Sequence, residues 1–276
     1  MRGLFLASAC VCILAVVVIC AFLFVNGLPF FSKYSLWDFL SGTSWRPLQE
    51  IFGILPMIVG SFYVTFGALL LGAPVGILTA ILMARFASKP VVKFMKPCVA
   101  LLAGIPSVVY GFFGLMLLVP AFRDAFGGNG KSALVASTLL AIMILPTIIQ
   151  TSEAAINAVP NSYYEGSLAL GATHESSVFR AVVPAARSGI ISGIVLAIGR
   201  AIGETTAIIM VAGNNPRMPQ GLLKGVRTMT VNVLMEMGYA ADLRADALIA
   251  TGVVLFIIIM AINFVFSFIN RRRGLQ

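Results

Sequence analysis

The chain has 276 residues, of which 59% are hydrophobic and 11% charged, and its mean hydropathy is +1.00. These proportions exclude a soluble domain of this length and mark an integral membrane protein. The net charge of +9 follows from basic residues gathering around membrane spans and calls for no nucleic-acid partner.

Six runs approach the ~20 residues needed to cross the hydrocarbon: about 4–25, 55–84, 97–121, 133–150, 188–212 and 247–269. They read as helices, because an unpaired strand edge is not tolerated in lipid. The expected fold is therefore an all-α polytopic membrane protein of six transmembrane helices, a single domain over residues 1–276. The first run follows Arg2 and is too long and too uniformly apolar for a cleaved signal peptide. Cys10 follows Leu-Ala-Ser-Ala, but the apolar run continues past it, against a lipid-attachment site. Cys10, Cys12, Cys20 and Cys98 have no ligand spacing and no partner histidines, so neither a metal site nor a cofactor is expected.

An outer segment spans about 27–54, with Trp37, Phe39 and Trp45 among polar neighbours. It either contacts an external protein or anchors aromatics at headgroup level. Gly72-Ala-Pro-Val-Gly76 and Gly104-Ile-Pro106 place breakers inside apolar runs, which makes them either kinks or walls of a substrate path. Gly127-Gly-Asn-Gly-Lys131-Ser132 resembles the end of a phosphate-binding loop, but Ala125 stands where its first glycine belongs and no strand precedes it. The expected role is a turn, with Ser132 capping the fourth run.

Orientation is read from lysine and arginine. With the N-terminus inside, ten basic residues lie on the inner side: Arg2, Arg85, Lys89, Lys93, Lys96, Arg180, Arg187, Arg271, Arg272 and Arg273. Eight lie outside: Lys33, Arg46, Arg123, Lys131, Arg217, Lys224, Arg227 and Arg244. The dense 85–96 stretch and the terminal triplet have no acidic neighbours and resist translocation, so both termini are expected to be cytoplasmic.

On that topology residues 151–187 are cytoplasmic. Ser162-Tyr-Tyr-Glu165 has the spacing of a capping box that opens a helix. Gly171 falls where a helix would end, Thr173 can cap a second one with Glu175 in its first turn, and Pro184 limits that helix. His174, the single histidine, is expected at the surface of this segment. Spacing alone leaves open a plain connector.

The fifth run carries the chain's most costly feature. Arg200 and Glu204 sit near the centre of 188–212 and together oppose insertion by about 5 to 7 kcal/mol. Four residues apart in a continuous helix, they would share one face. Arg200 would lie too deep to reach the headgroups and must face protein or water. A guanidinium fork suits an oxyanion, whereas Glu204 would serve either as its counter-ion or as an acceptor for a protonated phosphate oxygen. A structural ion pair remains the competing reading. Gly189-x-x-x-Gly193 and Gly199-x-x-x-Gly203 allow close packing of this helix against neighbours.

Glu165-Gly-Ser-x-x-x-Gly171 followed by Val183-Pro184 resembles the cytoplasmic loop signature of ABC importer permeases, with Gly166 and Ser167 in place of two alanines. Gly104-Ile-Pro-Ser-Val-Val-Tyr-Gly111, Gly199-Arg-Ala-Ile-Gly-Glu-Thr205 and Asn214 narrow the resemblance to phosphate-uptake permeases of the C type. The resemblance implies a type I importer fold and a coupling segment at about 160–186. Within it, Glu165, Gly171 and Pro184 would serve docking to an ATP-hydrolysing subunit, and Arg200 and Glu204 would lie on the substrate path. It also implies a homologous second permease, an external phosphate-binding protein, and residence in the cytoplasmic (inner) membrane of a prokaryote. Such a chain hydrolyses nothing itself. Sulfate, molybdate or tungstate is the alternative cargo and a secondary carrier the rival class, while no catalytic group supports a membrane enzyme.

Overall fold

The computed structural model describes residues 1–273 and is built almost wholly of helices. The side chains of Arg2 and of Arg271, Arg272 and Arg273, counted above as inner charges, lie outside the described residues. The major helices are α1 (Arg2–Gly27), α2 (Leu55–Ile81, extended by a π turn at Leu82–Phe86), α3 (Lys89–Gly104), α4 (Ser107–Phe113) and α5 (Ala133–Asn157). They are followed by α6 (Asn161–Ala169), α7 (His174–Ser177), α8 (Arg187–Gly203), α9 (Thr206–Val211), α10 (Met229–Met237) and α11 (Asp242–Arg273).

Five helices are long and apolar enough to cross a membrane, and a sixth span arises if α8 and the preceding His174–Ala185, bent by 66°, count together. Helix α5 is the hub: 67% of its most apolar window is buried, against none of α1, whose flanks are left for lipid. Leu139, Leu140, Met143, Ile144 and Ile148 of α5 form one core with Val64 and Ala68 of α2, Ala197 and Ala201 of α8, and Ile208 and Val211 of α9.

Small residues set these distances. A Cβ at Gly76 would sit 2.8 Å from Ile148 Cγ2, and one at Gly72 would sit 3.0 Å from Ala141 O. The Gly72–Gly76 motif is thus a packing ridge, and α2 runs through Pro74 unbroken. Helix α1 packs mainly along α11, where Phe24 meets Phe256 edge-on at 5.9 Å.

Residues 27–54, expected on the outer side, form a packed unit. Phe30, Phe39, Trp45 and Phe52 are buried together, and a two-stranded antiparallel hairpin pairs Trp45 with Phe52 and Arg46 with Ile51. Tyr34 Oη accepts from Phe52 N at 3.2 Å. The aromatics therefore build a small core on α2 and α11, and Trp37 alone among those singled out projects outward, 75% exposed.

Two expected spans are corrected. The run at 97–121 breaks at Ile105 and Pro106, both extended, because Pro106 disfavours helix at the residue before it. Its first part begins earlier, at Lys89, so Lys89, Lys93 and Lys96 all lie on helix α3. The run at 188–212 is not one helix: α8 ends at Gly203, Glu204 is extended at φ −69° and ψ 128°, and α9 starts again at Thr206.

Candidate functional site

The two breaks lie against each other. Helix α4 follows the first and α9 the second, and Gly111 lets them touch: a Cβ there would be 2.7 Å from Met210 Sδ and 3.0 Å from Ala207 Cα. The Tyr110 hydroxyl spans the first break by donating to Leu102 O of α3 at 2.9 Å. Non-helical backbone at this depth is tolerated where protein or a watered cavity satisfies it, which is the setting of substrate sites between broken helices.

Arg200 lies in the last turn of α8, exposed on the surface of this chain. Glu204 does not share its helix face, as expected from a continuous helix, because the helix has already ended. Its Oε1 instead accepts from Ala207 N at 3.1 Å, capping α9, and its carbonyl accepts from Thr230 Oγ1 of α10 at 3.2 Å. Among the described residues Arg200 and Glu204 form no ion pair. The locked ion pair is therefore absent in this conformation, and the guanidinium is presented outward.

The glycine ridges of α8 divide in the same sense. Gly189 and Gly193 pack on α5, where added Cβ atoms would meet Ala155 Cβ and Thr151 Cβ, the latter at 3.0 Å. Gly199 and Gly203, beside Arg200, have nothing within 4 Å, and neither has Gly104 at the first break. Arg200 thus belongs to an open face of small residues.

Above the break, residues 213–237 fold back onto it around a charge network that the charge count left unseen. Arg227 Nε donates to Asn214 O at 3.0 Å, and its Nη1 donates to Asn232 Oδ1 at 3.1 Å and Glu236 Oε1 at 3.2 Å. Arg244 of α11 donates to the other Glu236 oxygen. Burial lowers the Arg227 pKa from its ordinary value, and the Glu236 carboxylate opposes that shift. Asn214 holds a left-handed φ of 52° and donates to Ile209 O at 2.7 Å, so the loop is clamped to the end of α9. A second pair missed by sequence reading, Lys96 Nζ to the buried Glu153 at 2.9 Å, joins α3 to the C-terminal part of α5.

The segment at 160–186 is helix, turn, helix, with differences in detail. The capping box does not form: α6 starts at Asn161 behind Pro160, and no side chain caps it. Gly171 ends the turn at φ +85°, as its position implies. Thr173 caps α7 by accepting from Ser176 N at 3.3 Å, and Glu175 has a lowered pKa from hydrogen bonding to backbone and to Thr173. Pro184 stands one residue before the end of its helix at Ala185. The turn before it, Val178–Val182, widens to a π turn. His174 is half-buried, against the surface position expected of it. Glu165 stands on α6, which buries no residue. Ser132 caps α5 by accepting from Val135 N at 3.4 Å.

A hub helix ringed by spans, two facing breaks and a pair of short helices before α8 define the fold class of importer permeases. Of the solved structures that share it, a bacterial ABC transporter that imports alginate aligns with 98% of this chain and 96% of its own, at TM-score 0.69 and 16% identity. The inward-facing MetNI methionine transporter aligns with 83% of this chain and 99% of its own, at 0.61 and 19%.

The chain belongs to the family described as the binding-protein-dependent transport system inner membrane component, which matches residues 72–273. It is 37% identical to the probable ABC transporter permease protein YqgH of Bacillus subtilis over 99% of this chain and 91% of that protein. It is 35% identical to the phosphate transport system permease protein PstC of Mesorhizobium japonicum, over 80% of this chain and 74% of that one.

Proposed function

We propose that the chain is the channel subunit of an ATP-driven importer that moves inorganic phosphate across the cytoplasmic membrane of a prokaryote by alternating access. ATP is hydrolysed on a separate subunit that docks on the 160–186 segment, with Glu165, Gly171 and Pro184 shaping that segment. A homologous second permease completes the path, and an external binding protein delivers phosphate to the outer side near residues 27–54. Both termini are cytoplasmic, in keeping with the lysines of α3. Relatives named as phosphate permeases support phosphate over sulfate, molybdate or tungstate.

The observation that carries the reading is the unpaired guanidinium of Arg200 at an open, glycine-lined break. A planar fork can engage two oxygens of one anion and stays charged at any working pH. Glu204 has one oxygen committed to Ala207 N, which leaves the other to accept from a protonated phosphate oxygen. Sulfate carries no proton at neutral pH and would leave it unmatched. Uptake of labelled phosphate by a reconstituted four-component complex, with ATP inside and binding protein outside, tests the reading. Phosphate accumulation that requires both supports it, and ATP-independent exchange contradicts it in favour of a secondary carrier.

A further inference from the structure

Helix α6 lies lightly on the rest of the molecule, and Tyr164 is its one large side chain that is partly covered. It buries no residue, and only Tyr164 and Ser167 are even partly covered, while Tyr163 and Leu168 face outward. The Tyr164 hydroxyl lies 2.8 Å from Nδ1 of His174, the first residue of α7. The His174 ring stands edge-on to Phe86 with centroids 4.8 Å apart at 71°, and to Tyr164 at 5.6 Å.

Phe86 closes the π turn at the inner end of α2, and its neighbour Arg85 donates to Ile156 O of α5 at 3.0 Å. One turn of α2 therefore grips both the end of α5, from which the segment departs, and the junction of α6 with α7. Around it Ala80 and Ile81 of α2 pack with Val178 and Val182, so the contact rests on a close-packed base of low compressibility.

We propose that His174 is a positioning residue of the coupling step, passing displacement of α6 to α2 through Tyr164 on one side and Phe86 on the other. The inference rests on the functional reading above. Its chemistry is one hydrogen bond, which sets the register of α6, and one ring-edge contact, which transmits the push. Removing the first while keeping the second separates the two roles.

The test uses the reconstituted complex and reads two quantities: phosphate moved per ATP hydrolysed, and ATPase subunit retained on purification. Tyr164→Phe and His174→Phe keep the rings and lose the hydrogen bond. Each is expected to lower phosphate per ATP about fivefold, the equivalent of one neutral hydrogen bond, with the complex intact. The double variant should lose no more than either single one, because both remove the same interaction. His174→Asn places an amide oxygen near the position of Nδ1 but loses the ring against Phe86, so it should lower the ratio at least as far as His174→Phe. An unchanged ratio in both single variants overturns the proposal, as does loss of ATPase subunit that accounts for all the lost transport. A wild-type complex that couples ATP to a different oxyanion would contradict the substrate assignment alone, and the ratio is then read with that oxyanion.

Discussion

Arg200 and Glu204 lie four positions apart with the end of a helix between them, and that break divides their roles. Glu204 caps α9 and receives Thr230, so it holds the break in shape, while Arg200 is presented to whatever lies across the open face. Two substitutions distinguish cap from selectivity. Glu204→Gln keeps an oxygen for Ala207 N and should leave the thermal midpoint of the complex nearly unchanged, whereas Glu204→Ala should cost about 1 kcal/mol, the usual loss of a cap. In uptake assays Glu204→Gln should admit more competition from sulfate. Discrimination equal to that of the wild type would show that the free carboxylate oxygen does not read the phosphate proton.

At the scale of elements, α8 has two glycine ridges with different neighbours, and the difference is measurable. Gly189→Ala drives a Cβ into Ala155 and should destabilise the α8–α5 packing by about 1 to 3 kcal/mol, seen as a lower thermal midpoint of the subunit. Gly199→Leu meets nothing in this chain and should leave that midpoint in place while weakening assembly with the second permease, read by co-purification. Undiminished assembly would place this ridge against lipid. The six apolar runs located the spans because hydrocarbon thickness constrains their length, and Gly171 and Thr173 were legible because a left-handed turn and a cap each demand particular residues. The break after Gly203 was not legible, because no proline marks it and its causes, Thr230 on the Glu204 carbonyl and the packing of α4 on α9, come from distant sequence. The charge network of Arg227, Glu236 and Arg244 was hidden for the same reason: its members read singly as outer-loop charges. Ser162 shows the converse, a correct local motif overruled when Pro160 sets the helix start two residues earlier.

For the whole molecule, topology and path make one claim: the outer aromatic unit and the coupling segment lie on opposite sides of the membrane, with Arg200 between them. Leu48 and Leu170 are 92% and 91% exposed, so cysteine at either position is open to a maleimide on its own side. In intact cells an impermeant maleimide should label Leu48→Cys and spare Leu170→Cys until the membrane is opened. The reverse pattern would invert the orientation. The central claim, that an oxyanion passes Arg200 at the broken helix, is tested most directly by phosphate uptake into proteoliposomes holding the complete complex, with the affinity of the binding protein for phosphate measured separately. Arg200→Ala should abolish uptake with that affinity unchanged, and Arg200→Lys should restore only a part, since an ammonium keeps the charge and loses the fork. Wild-type uptake in Arg200→Ala would remove this residue from the path.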